Sequence, residues 1–210
     1  MRHRSRPLWV DKRSLVIAID GACRGNNSAD QMSRRASYGV YFGIASPHNF
    51  YGCLPHGLLQ SSNRAEIEAA VQAVERVAKL DLTGQRTNKV IIKTDSEYLF
   101  KSMTEWMGKR LDNGGRKSDG GPVEHWHTLK ALHHRIGELS TGKRLKILFW
   151  WVPRENNTMA DRLANRALDG GSDSGIGSEQ STDLAQEESG PDRRNLTSHG
   201  SPPSYTHSAF

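Results

Sequence analysis

The chain has 210 residues, 35% hydrophobic and 25% charged, with a formal net charge of +6, which is enough for one domain with a real core and loose ends. No run approaches the length of a membrane span, the N-terminus lacks the apolar stretch of a secretory signal, and Cys23 and Cys53 alone can build neither a disulfide framework nor a metal site. The expectation is therefore a soluble protein of a reducing, intracellular compartment (nucleus, cytoplasm or mitochondrion). Residues 1–13 hold five Lys/Arg and one acid, and residues 170–210 hold two and six, so +6 remains on 14–169. A basic folded part favours a polyanionic partner such as nucleic acid.

Residues 1–13 form a basic extension that suits a nuclear address, a nucleic-acid-touching arm or a solvated tail. Leu15 to Ile19 are apolar and rich in β-branched residues, which predicts a buried strand ending on Asp20. A carboxylate there loses water and needs a cation or donors in exchange, although Asp20-Gly21 is also a turn dipeptide. Ala36–Gly43 and Asn49–Leu54 are β-like, with turn chemistry in Ser46-Pro47-His48-Asn49 between them, and complete a meander. A helix is predicted from Asn63 to Leu80, capped by Ser62 or Asn63, with an apolar stripe of Ile67, Ala70, Val71, Val74, Val77 and Ala78. Glu66 lies at the edge of that stripe, where it could also serve a capping box or the helix dipole.

A second β-branched run, Lys89 to Thr94, again meets an acid, Asp95, and Ser96 opens a helix through Leu99, Phe100, Met103, Trp106 and Met107. Ligand sites of open α/β sheets collect at such strand ends, while N-capping is the bland alternative. Leu111–Gly121 reads as a flexible loop, with Lys109, Arg110, Arg116 and Lys117 in or beside it as candidate phosphate contacts. Val123–Leu139 is predicted helical, and its four histidines form no metal-binding pattern, so they are expected at the surface or at caps. Lys143–Val152 is the last strand. Pro153-Arg154-Glu155-Asn156-Asn157 breaks it, and Thr158 caps a final helix with Asp161 in its first turn, where a dipole role would suffice. From Gly170 to Phe210 the composition predicts a disordered polar tail.

Four acids thus recur at a first strand, a first helix, a fourth strand and a last helix. Asp20-Gly21-Ala22-Cys23-Arg24-Gly25-Asn26, Asn63-Arg64-Ala65-Glu66, Thr94-Asp95-Ser96-Glu97-Tyr98 and Ala160-Asp161-Arg162-Leu163-Ala164 resemble, in order and separation, the motifs of the type 1 ribonuclease H family across residues 14–169. The resemblance implies an α/β fold of ribonuclease H type, a five-stranded mixed sheet with strand 2 antiparallel and helices on both faces. It further implies a monomeric endonuclease that hydrolyses the RNA strand of RNA–DNA hybrids. Its cofactors would be two Mg²⁺ ions, with Mn²⁺ as a substitute, held by Asp20, Glu66, Asp95 and Asp161. Asp20 would bridge the ions and Asp161 would hold the one nearer the attacking water. Such ions suit hard oxygen ligands and phosphodiester hydrolysis, and four carboxylates without cations would repel one another.

By the same resemblance Cys23, Arg24, Asn26, Asn63 and Ser96 contact the RNA strand, and the basic segment Lys109–Lys117 stands where the family keeps its DNA-strand-binding protrusion. The chain departs from the common pattern in three places. No histidine stands in Val152–Asn157, as in the family's active His-lacking branch. Gly114-Gly115 replaces Gly-Trp, and His125 replaces an asparagine. Glu155 is a further acid in the His-lacking loop, expected to be solvated. Readings of the same residues in other classes are a non-catalytic nucleic-acid-binding module, a retroelement-derived ribonuclease H domain and a structure-specific DNA nuclease.

Overall fold

One sheet carries five strands in the order β3-β2-β1-β4-β5: β1 (Ser14–Arg24), β2 (Arg35–Tyr41), β3 (Phe50–Cys53), β4 (Lys89–Thr94) and β5 (Lys146–Trp151). β2 runs antiparallel to β1 and β3, while β1, β4 and β5 are mutually parallel, as expected. The computed structural model describes residues 14–28, 30–80 and 87–170. The expected basic extension 1–13 and, apart from Gly170, the expected tail 170–210 lie outside the described residues.

Helices α1 (Ser62–Lys79), α2 (Glu97–Thr104), α3 (Met107–Asp112) and α4 (Trp126–Gly142) gather on one face of the sheet, and α5 (Thr158–Leu168) covers the other. The main core follows from the alternation of β1 and the stripe of α1. Ile17, Ile19, Val90 and Ile92 meet Ile67, Ala70, Val74 and Val77, with Leu99 and Leu129 closing over them. A smaller cluster of Tyr51, Leu163 and Ala167 seats α5.

β1 continues through Asp20 to Arg24 rather than ending at the acid. Its pairing with β4 runs only from Ser14 to Ala18, while its pairing with β2 runs from Ala18 to Arg24. Asp20 therefore stands where β1 has lost one neighbour and kept the other, which opens one side of a buried strand. The turn alternative for Asp20 is excluded, since Asp20 pairs with Gly39 inside a ladder.

Two glycines let helices close on that point. A Cβ on Gly21 would stand 2.3 Å from the backbone nitrogen of Glu66, and one on Gly39 would stand 2.5 Å from the carbonyl oxygen of Ala160. Both distances are far inside contact range, so α1 and α5 can approach the middle of the sheet only where those strands lack side chains.

Several boundaries differ from expectation. Ser61 caps α1, accepting from the Arg64 N–H, so neither Ser62 nor Asn63 is the cap and Glu66 falls beyond the first turn. The helix expected from Ser96 through Met107 is two helices. Trp106 N–H donates to the carbonyl of Lys101, five residues back, and the Trp106 ring meets Tyr98 edge-on and lies under the Arg110 guanidinium. Packing of that large ring breaks the regular ladder. Nor is Leu111–Gly121 an irregular loop throughout. α3 takes its start, and an isolated bridge between Arg116 and Pro122, with Lys117 N–H donating to Gly121, folds the rest into a turn. α4 begins at Trp126, later than expected, and β5 spans only Lys146–Trp151.

Candidate active site

Asp20, Glu66 and Asp95 converge at the carboxyl edge of β1 and β4, each offering a carboxylate oxygen within 4.8 Å of the others. The offset that pairs Ala18 with Lys93 brings Asp20 level with Asp95 just beyond the last rung. Asp95 is not the cap of α2, since Ser96 takes that place and accepts from the Leu99 N–H. Asp20 is only 3% exposed and Glu66 9%. Burying like charges so close together raises their proton affinity. Asp20 is pushed from 3.8 up to about 8, chiefly by burial, then by the charges of Asp95 and Asp161 and a shared hydrogen bond with Asp95, against which Arg154 acts weakly. Burial also drives Glu66 well above the ordinary carboxylate value, reinforced by Asp20 and Asp95 and opposed by a Gly21 backbone hydrogen bond and by Arg154.

The trio fits a divalent cation. Glu66 Oε2 is buried without a hydrogen-bond partner, and hard oxygens on three convergent carboxylates are the donor set that such an ion takes. A cation would also remove the repulsion that raises the two proton affinities.

The raised affinity has a consequence for stability with a definite sign. The folded state holds the Asp20 proton more tightly than the unfolded chain does, so ionising Asp20 destabilises the fold. The penalty is absent below 3.8, grows with pH and is complete above about 8. Thermal melts in EDTA should therefore fall more steeply across that window for the native chain than for Asp20→Asn, and a saturating divalent ion should restore most of the difference at the high end. Parallel slopes for the two proteins would remove Asp20 as the source.

Asp161, in the first turn of α5, stands outside the close trio. Its Oδ1 accepts from Arg154 Nη2 at 2.7 Å, and its charge is felt at Asp20. Arg154 belongs to a 3-10 turn, Arg154–Asn156, whose Glu155 is exposed and apart from the cluster. Asn157, which the sequence reading passed over as part of a strand break, is 1% exposed. Its Nδ2 donates to the Ile19 carbonyl at 2.8 Å and to Asp95 Oδ1 at 2.7 Å, tying β1, the β4 end and α5 together behind the acids. Trp151 also braces the site, its indole N–H donating to the Asp95 carbonyl while 43% of the residue is exposed. The sequence offers only a tryptophan near the end of an expected strand and an asparagine next to a helix start, and neither names Asp95, 56 and 62 residues away, as its partner.

The expected RNA-strand contacts differ in how firmly their side chains are held. Asn26 Oδ1 accepts from the Ser62 N–H at 3.3 Å, which brings the β1–β2 connection to the start of α1 beside Asn63. Cys23 is partly buried against Ala36, Leu54 and Ala65, and burial raises its thiol pKa. Ser96 uses an oxygen lone pair as the α2 cap and retains an O–H to donate. Arg24 is engaged with the Asp169 carboxylate and with the Leu168 carbonyl at the end of α5. Of the basic residues, Lys109, Arg116 and Lys117 are exposed. Arg110 is partly buried, donating to Ser102 and stacked 4.6 Å from the Trp106 ring centroid. His125 stands at the N-cap just before α4 in a left-handed conformation, φ 58°, without a side-chain cap bond, and burial lowers its pKa.

A mixed sheet in this strand order, helices on both faces and a largely buried carboxylate cluster at the parallel-strand edge define an α/β protein with a carboxylate cluster that could hold a divalent cation. The RNase H family model matches residues 12–169, and the chain belongs to the RNase H family, whose members use divalent metal. It is 30% identical over 167 residues to a ribonuclease H of Nitrosomonas eutropha, covering 77% of this chain and 94% of that protein. It is 28% identical over 166 residues to a ribonuclease HI of Pseudomonas aeruginosa, covering 76% and 96%. Among solved structures it is similar to LC9-RNase H1, a type 1 RNase H with the type 2 active-site motif, with a TM-score of 0.56, 20% identity and coverage of 82% and 81%. It is also similar to the foamy viral protease-reverse transcriptase in complex with dsDNA, with a TM-score of 0.52, 20% identity and coverage of 73% and 92%. These structural likenesses show the fold. No helix among the described residues is long and apolar enough to cross a membrane.

Proposed function

We propose that the protein is an endonuclease that hydrolyses the RNA strand of RNA–DNA hybrids, acting as a monomer in an intracellular compartment where such hybrids form. The observation that carries this is the convergence of buried Asp20 and Glu66 with the partly exposed Asp95 on an RNase H fold. Asp20, Glu66 and Asp95, joined by Asp161, would hold two Mg²⁺ ions, or Mn²⁺ in their place. When bound, the ions activate the attacking water and stabilise the leaving oxygen of the phosphodiester. The chain itself fixes the carboxylates, through the close approach of α1 and α5 to β1 and β2 and through the Asn157 amide on Asp95, and it keeps bulk water from the inner side of the cluster. A binding-only module would have no use for two buried acids, Asp20 and Glu66, whose ionisation costs stability. The test is purified protein with labelled RNA–DNA hybrid, duplex RNA and duplex DNA, each with Mg²⁺ or EDTA. Cleavage of the hybrid's RNA strand alone, and only with metal, is expected, and cleavage of duplex DNA would overturn the assignment.

Discrimination of RNA from DNA requires contacts to the 2′-hydroxyl, for which Cys23, Asn26, Asn63 and Ser96 would serve. Arg24 would serve the same strand after exchanging Asp169 for a phosphate. The DNA strand would lie along α3 and the turn after it, where Lys109, Arg116 and Lys117 reach solvent. These three can neutralise phosphates but cannot activate water. Replacing them together with alanine should leave single-turnover chemistry intact and reduce the salt dependence of hybrid binding by up to about three contacts' worth of slope. An unchanged slope would place the DNA strand elsewhere. Arg110, packed on Trp106 and bonded to Ser102, would instead hold α3 against α2.

The catalytic unit would be residues 14–169, with 1–13 and 170–210 as extensions. Truncation after Asp169 keeps the Arg24 partner and should leave hybrid cleavage within a few-fold of the full chain. Complete loss on truncation would show that the tail contributes to the site.

A further inference from the structure

The connection from β5 to α5 brings a positive side chain into the carboxylate cluster. The Arg154 Nη2 to Asp161 Oδ1 distance is 2.7 Å, and the guanidinium also lies in the fields of Asp20, Asp95 and Glu66. The backbone that carries it is fixed on both sides. Asn156 N–H donates to Pro153, the Lys93 ammonium donates to the Asn156 carbonyl at 2.9 Å, and the next residue is the buried Asn157. The side chain itself is held only at its tip, since 76% of it is exposed and Asp161 is its one side-chain ion-pair partner among the described residues. A solvent-exposed ion pair of this kind is worth no more than about five-fold in an equilibrium constant. It is strong enough to bias where Asp161 points and weak enough to be displaced.

We infer that Arg154 is a resident, displaceable counter-cation of Asp161 that competes with a divalent ion for that carboxylate. The inference rests on the proposed metal-holding role of the four acids and adds a positioning residue to it. In the metal-free protein the guanidinium neutralises one of the carboxylates that would otherwise repel the rest. An ion that takes Asp161 as a ligand must displace or outweigh the guanidinium, because two cations at contact distance on one partly buried carboxylate repel each other. Occupation of the Asp161 side should therefore be weaker than that of the Asp20, Glu66 and Asp95 trio and should be set in part by Arg154. A lysine would be a poorer occupant, because its compact, strongly hydrated ammonium lacks the planar fork.

The test is Mn²⁺ binding to the full chain without nucleic acid, followed by calorimetry and by the spin-resonance signal of free Mn²⁺ at one fixed pH. Arg154 is exposed, so Arg154→Gln should fold, which a melt in EDTA checks. In Arg154→Gln the weaker Mn²⁺ affinity should tighten about two- to five-fold, Arg154→Lys should lie between, and the trio's stronger affinity should stay put. In an Asp161→Asn background the same Arg154→Gln change should have no effect. Equal or weaker Mn²⁺ binding by Arg154→Gln, or a gain that survives Asp161→Asn, would overturn the competition while leaving the metal-holding role of the trio intact. Absence of Mn²⁺ binding by the native chain would overturn both.

Discussion

Asp20→Asn and Asp95→Asn should each reduce hybrid cleavage to background with Mg²⁺ while leaving hybrid binding nearly unchanged. Both substitutions keep the shape of the side chain and replace a charged hard-oxygen ligand with a neutral amide, which holds a divalent ion far less well. The usual objection, that a dead variant is an unfolded one, is answered by the electrostatics of the site. Asp20 is buried against two other acids and is destabilising when ionised, so Asp20→Asn should melt higher than the native chain in EDTA above neutrality. Loss of cleavage together with gain of stability separates ligand loss from misfolding. In the same assays Asp161→Asn should lower turnover strongly, whereas Glu155→Gln, altering an exposed residue apart from the cluster, should leave most of it. Substantial cleavage by Asp20→Asn, or the reverse ranking of Asp161 and Glu155, would show that the acids have been given the wrong roles.

How much of this was legible beforehand follows the range of the interactions involved. Strands β1 and β4 announced themselves by β-branched runs, α1 by its stripe and the acids by their place at the ends of those runs, all of which are signals within a dozen residues. The family resemblance supplied the register between the four acids, which no local pattern contains. What escaped depends on contacts between distant segments. Sequence alone does not say that Arg24 meets Asp169, that Trp151 braces the Asp95 carbonyl or that Trp106 splits a helix by packing on Tyr98. Composition puts the end of the first strand at Asp20, whereas β1 runs on as long as β2 lies beside it, to Arg24 opposite Arg35 at the start of β2. Gly21 and Gly39 looked like ordinary strand or turn glycines, and only the helices lying on them show why a side chain cannot be there.

Asn157 makes the same point and carries the second large effect. Its amide is almost wholly buried and donates to one carbonyl and one carboxylate. The Ile19 carbonyl it satisfies lies just past the last β1–β4 rung, and the Asn157 amide is the donor to it there. Asn157→Ala would leave that carbonyl unpaired and free the Asp95 carboxylate to turn, at a cost of about 1–3 kcal/mol of stability for the buried acceptor. Loss of a group that orients a metal-holding side chain typically costs about 10- to 100-fold in metal affinity or activity, and Asn157→Ala should fall in that range. The fall should appear in kcat and in the Mg²⁺ concentration needed for half-maximal rate, with KM for the hybrid little changed, because Asn157 faces the inside of the site. Asn157→Asp is the sharper variant. It keeps the size but puts a carboxylate against Asp95 in place of a donor, so in EDTA it should be the less stable of the two above neutrality and should recover as the pH falls and one of the facing acids takes a proton. Native kcat and native Mg²⁺ dependence in Asn157→Ala would mean that Asp95 is held well enough by its strand and by Trp151, and that the buried amide serves the fold alone.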